Sequence, residues 1–123
     1  MKHNFKNLKI WQLALEIACD IYRISAEFPK FEQYGLTNQI NRAGVSIASN
    51  IAEGSSRGEK HFIHYLNIAL GSSFEVHTQM QIAKHNNYVT EQQATDFELK
   101  LDELQKMIKG FMSKLDSVNN YGT

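Results

Sequence analysis

Apolar residues recur at steps of three and four through four stretches of the chain, and no stretch alternates apolar and polar residues for long enough to mark a strand. The first predicted helix covers about 8–27 and carries two apolar stripes. Leu8, Trp11, Leu15, Ala18 and Tyr22 form one, and Ile10, Ala14, Ile17, Ile21 and Ile24 form the other, about 100° around the axis. A helix at the edge of a lone bundle needs only one stripe, so the second must be covered by another helix of the same chain or by another copy. On this reading Ile10, Ala14, Ile17, Ile21 and Ile24 are the candidate subunit interface.

Phe28-Pro29 ends that helix, because proline disfavours helical geometry in the residue before it, and Tyr34-Gly35 closes the loop. The second helix, about 36–56, has the stripe Leu36, Ile40, Ala43, Ile47 and Ile51. Small residues (Gly44, Ser46, Ala48, Ser49, Ala52) surround the stripe and fill a tight bundle interior. The cluster Gly54-Ser55-Ser56-Arg57-Gly58 separates it from a third helix over 59–86, whose buried face is Phe62, Leu66, Ala69, Ser73, Val76, Met80 and Ala83. Asn86-Asn87-Tyr88 turns the chain, and Thr90 with Gln93 matches a capping box. The fourth helix, about 90–117, repeats Ala94, Phe97, Leu101, Leu104, Ile108, Phe111, Leu115 and Val118 in three-four alternation with charges between, the pattern of a packing seam. Four helices joined by short loops predict an all-α fold, an antiparallel up-down-up-down four-helix bundle that forms a single domain over 1–123.

Composition narrows the class. A chain of 123 residues buries one core, and 13 basic against 13 acidic residues give no global electrostatic reason to expect nucleic acid or a membrane surface. Cys19 is the only cysteine, which excludes an internal disulfide and suits a reducing cytoplasm. The start, Met1-Lys2-His3-Asn4-Phe5-Lys6, lacks the apolar core of a signal peptide, and no stretch approaches the roughly 18 apolar residues of a membrane span.

Candidate chemistry is sparse. His61 and His64 share a side of the third helix, a spacing that can hold a metal only when further ligands join, and Glu75 stands roughly 16 Å further along the axis. No serine lies in a nucleophile elbow, neither a phosphate loop nor a dinucleotide fingerprint occurs, and Cys19 among apolar residues reads as buried and inert. No catalytic residue, metal or cofactor is expected.

The second helix carries a polar strip, Arg42, Ser46, Ser49, Glu53 and Arg57, with Asn50 at its border. One reading makes Arg42, Arg57 and the following Lys60 phosphate-contacting groups of a nucleic-acid interface, supported by Ser46, Ser49 and Asn50. The other is structural: Glu53 and Arg57 form an i,i+4 pair worth about 0.2–0.5 kcal/mol, and Asn50 sets interhelical register. Two arginines neutralise little phosphate charge, but a ring of copies would repeat them.

The motifs Leu8-Lys9-Ile10-Trp11-Gln12, Phe28-Pro29, Tyr34-Gly35-Leu36-Thr37 with Gln39-Ile40 and Arg42-Ala43, Val45-Ser46-Ile47, Ser49-Asn50-Ile51-Ala52-Glu53-Gly54, Ile68-Ala69 and Gly71-Ser72 give the chain a resemblance. It resembles the bacterial four-helix bundle proteins encoded within intervening sequences of 23S ribosomal RNA genes. The resemblance implies a homopentamer, related to the accessory variability protein of diversity-generating retroelements, which binds RNA and a reverse transcriptase. The chain departs from that pattern at Gly44 and Ala48, where alanine and proline are expected, and in its balanced charge. The functional expectation is a non-enzymatic oligomeric scaffold contacting structured, ribosomal RNA. The alternative is an adaptor for a protein partner that binds no nucleic acid.

Overall fold

The computed structural model describes residues 4–121, with side chains described over 4–117; Met1, Lys2 and His3 of the start lie outside those described, as does the side chain of Val118 from the fourth stripe. Four helices account for the fold: α1 Lys9–Ser25, α2 Leu36–Ser55, α3 Glu59–His85 and α4 Glu91–Tyr121, with short 3-10 turns at Phe5–Asn7 and Lys30–Glu32. Neighbours in sequence pack side by side and α4 returns to α1, which closes the up-down-up-down bundle. The fourth helix runs about one turn beyond its predicted end.

The ends are set by local chemistry. Helix α3 stops with Asn87 in the left-handed region at φ 61°. Tyr88 N–H donates to Ala83 O at 2.9 Å and Asn87 N–H to Lys84 O at 3.0 Å, the paired bonds of a Schellman ending. Helix α4 starts with the capping box read from the sequence: Gln93 N–H donates to Thr90 Oγ1 at 3.0 Å, and Thr90 N–H to Gln93 Oε1 at 2.8 Å. At the start of α2, Leu36 N–H donates to Glu32 Oε1 at 3.1 Å.

One apolar cluster runs through the bundle, built around Ile17, Ile40, Ile47, Ile51, Phe62, Leu66, Leu101, Leu104 and Ile108. Each such side chain contributes about 1.5–3 kcal/mol on leaving water. Ile10, Ala14, Ile17 and Ile21 belong to this cluster, Ile17 being 0% exposed, and Ile24 packs against it half-buried. The reading of this stripe as a subunit interface is therefore corrected at Ile10, Ala14, Ile17 and Ile21, since atoms already sealed inside one chain cannot touch another. The stripe left outward is the other one, with Leu15 43% and Tyr22 58% exposed.

Close approach is bought with glycine at two points. A Cβ at Gly44 would stand 2.6 Å from Ile21 Cδ1, and one at Gly54 2.7 Å from Tyr65 Cβ and 2.8 Å from Phe62 Cδ1. Polar pins cross the interior as well. Gln105 Nε2 donates to Ser73 Oγ at 3.1 Å between α4 and α3, and the hydroxyls of Ser46 and Ser72 lie 2.9 Å apart between α2 and α3. Between α1 and α4, Lys100 Nζ reaches Glu16 Oε1 and Asp20 Oδ2, each at 2.8 Å. These bonds, Asp20 first and then Glu16, hold the Lys100 ammonium above its usual range.

Candidate nucleic-acid interface

The polar strip of α2 divides in two. Ser46 and Asn50 turn toward α3: Asn50 Nδ2 donates to Ser46 O at 2.8 Å and to Ser46 Oγ at 3.0 Å, and Ser46 in turn meets Ser72. Their hydroxyl and amide are thus committed to holding α2 against α3, as the structural reading has it, although Ser46 makes the interhelical bond and Asn50 only supports it. Arg42, Ser49, Glu53 and Arg57 face solvent.

Arg57 is held twice, by Glu53 Oε1 at 3.3 Å and by the ring of Tyr65, whose centroid lies 5.1 Å from the guanidinium carbon. Lys60 follows, exposed, in the first turn of α3. Arg42 stands fifteen residues before Arg57, roughly 22 Å along the helix axis. The strip therefore offers cations at two separate places rather than a single grip.

The outward face between α1 and α2 changes character along its length. Toward the α2–α3 connection, Trp11 and Leu15 with Val45 edge an apolar groove whose floor is Ala18, Ala48 and Ala52. Toward the α1–α2 loop the face turns polar: Tyr22, Asn38, Asn41, Arg42, Val45 and Ser46 line an open depression of about 390 Å³. Asn41 spends its amide nitrogen on Ser25 Oγ at 2.9 Å and on Thr37 O at 2.8 Å, and its buried side-chain oxygen has no hydrogen-bond partner. Periodicity did not single out Asn38, Asn41 or Tyr22 as a group, because they come from two helices.

The remaining candidates fall elsewhere. His61 and His64 are exposed on α3, the latter with its ring 5.6 Å from that of Tyr65, and Glu75 is exposed further along. Among the described residues no group of three His, Cys, Asp or Glu side chains converges to hold a metal ion. Cys19 is exposed, which corrects the expectation of a buried thiol: it borders the outward stripe of α1, opposite the buried one. Among the described residues no helix is long and apolar enough to cross a membrane.

Comparison with known proteins adds a family and a fold. The family model described as 23S rRNA-intervening sequence protein matches residues 6–110. No curated protein matches the chain. A crystal structure of a Bacteroides thetaiotaomicron protein, described as of unknown function and from the S23 ribosomal protein family, aligns with a TM-score of 0.78 at 24% sequence identity. The alignment covers 85% of this chain and 95% of that one, a likeness of fold.

Proposed function

The chain belongs to the 23S rRNA-intervening sequence protein family, and from that premise we propose that it is a non-enzymatic, cytoplasmic scaffold that self-associates and contacts structured RNA. The observation that carries the reading is the outward face of α1 and α2. Its groove of Trp11, Leu15 and Val45 over three alanines is apolar surface that a lone bundle leaves in water, and surfaces of that kind mark association sites. The exposed cations Arg42, Arg57 and Lys60 lie on the same helix or just past its end.

Assembly joins the two features. One copy offers too few cations to hold RNA firmly, but a ring, five copies on the resemblance, repeats them at fixed spacing, and multivalent contact raises affinity with no new interaction. Head-to-tail packing of this groove against a different face of the next copy closes such rings.

Light scattering with absorbance at two wavelengths measures particle mass and copurifying nucleic acid together. The expected result is a mass several times that of the chain and RNA affinity that falls with added salt. A compact monomer at high concentration, or salt-insensitive binding, overturns the reading. The balanced charge, 13 basic against 13 acidic residues, favours a second reading, an adaptor for a protein partner. A partner retained after nuclease treatment, with no RNA bound, selects it.

A further inference from the structure

The two halves of the α1/α2 face ask for different occupants. The apolar half suits a packed neighbour. The polar half brings an aromatic ring, a cation and the exposed amide of Asn38 around one depression, and that set matches the parts of a nucleotide: a flat base, a charged phosphate and polar base edges. We infer that this depression is a docking site for an unpaired nucleotide of RNA, with the base stacked on Tyr22, the phosphate against Arg42, and Asn38 toward the base edge. The inference rests on the RNA reading above and names which form of RNA is bound.

Two observations support it. Tyr22 is 58% exposed although it belongs to an apolar stripe, so its ring presents surface to solvent at the wall of the depression. A second ring, Tyr34, is 87% exposed in the turn before α2, four residues ahead of Asn38, and offers a stacking surface for an adjoining nucleotide. The net charge of zero points the same way. Duplex binding depends on neutralising many phosphates, whereas stacking on aromatic rings works with few cations and is open only to bases outside a helix.

The test uses the full chain, an unstructured adenine-rich RNA strand containing fluorescent aminopurine, and a fully paired RNA hairpin. The expected result is that the single strand binds more tightly than the hairpin and that aminopurine fluorescence is quenched on binding. Tyr22→Leu, which keeps bulk but removes the ring, weakens single-strand binding by about tenfold and relieves the quenching, while Tyr22→Phe retains both. Tyr34→Leu weakens it further, and both variants keep the parent melting temperature.

Unchanged single-strand affinity in Tyr22→Leu, or equal binding of hairpin and strand without quenching, overturns the inference and leaves the wider RNA reading intact. Failure to bind either RNA overturns both. A Tyr22→Leu variant that changes particle mass and not RNA affinity shows the depression to be covered by a sister chain, and also overturns it.

Discussion

Tyr88 donates its hydroxyl to Glu32 Oε2 at 2.8 Å, and the other oxygen of that carboxylate accepts the Leu36 N–H at 3.1 Å. One side chain in the α1–α2 loop therefore serves the start of α2 and the α3–α4 turn together. Phe28 adds a ring contact to Tyr88, the centroids 5.5 Å apart.

The Tyr88 phenol consequently titrates above its ordinary value of 10.0, chiefly through the hydrogen bond to Glu32, then burial and the nearby negative charge. A group whose folded pKa is raised lends stability that is intact below the unfolded pKa and is lost as pH climbs through the folded one. Melting temperature should thus fall more steeply above pH 10 in the parent than in Tyr88→Phe. Glu32→Gln should bring the phenol back toward its ordinary range in an absorbance titration.

The two crowded glycines should respond differently to alanine. At Gly44 the obstructing atom is the far end of the Ile21 side chain, which can rotate away. The helix-propensity gain of about 1 kcal/mol then offsets the packing cost, and Gly44→Ala should be close to neutral in chemical denaturation. At Gly54 the obstructing atoms are Tyr65 Cβ and the buried ring of Phe62, neither free to move. Gly54→Ala should lose about 1–3 kcal/mol.

Thr90→Ala removes the acceptor for Gln93 N–H at the start of α4 and should cost about 1 kcal/mol. Thr90→Ser keeps that acceptor, and its denaturation midpoint should stay near the parent's.

Lys100→Met should cost about 0.5 kcal/mol, a small loss because the ammonium is partly solvated, and the difference from the parent should shrink at high salt. Since the Lys100 pKa is raised, its contribution is complete below the ordinary lysine value and fades as pH rises through the folded one. The deficit of the variant should therefore narrow at strongly alkaline pH.

Charging the outward groove separates assembly from folding. Leu15→Glu combined with Val45→Glu places two like charges on exposed positions, 43% and 42% accessible, and should lower particle mass with helix content unchanged. Ile17→Ala, by contrast, should lose about 2–5 kcal/mol by opening a cavity inside one chain.

Periodicity revealed most of the architecture. The α4 seam is buried at Ala94, Phe97, Leu101, Leu104, Ile108 and Leu115, and the Thr90/Gln93 capping box forms as read. Helix α1 was ambiguous for a geometric reason. Its polar residues Gln12, Glu16 and Arg23 lie roughly opposite the gap between the two apolar stripes, so the wheel alone cannot say which one turns inward. Pairings across helices were hidden too. Ser73 with Gln105, Ser46 with Ser72 and Tyr88 with Glu32 are separated by 32, 26 and 56 residues, and no local spacing announces them. The Tyr22 and Arg42 depression escaped notice in the same way, while the outward side of α2 that carries Arg42, with Arg57 just past its end, was plain from spacing.

A seam made mostly of aliphatic side chains is nearly self-similar under a shift of one turn, so by itself it holds α4 only loosely against sitting a notch too high or too low. The Gln105 amide on the Ser73 hydroxyl removes that freedom. Sliding by one turn, about 5.4 Å, would strand the buried Gln105 amide, while Ser73 would keep only its bond to Leu70 O. The bond works as a vernier mark on the rail, and together with Lys100 on Glu16 and Asp20 it gives α4 a single axial setting.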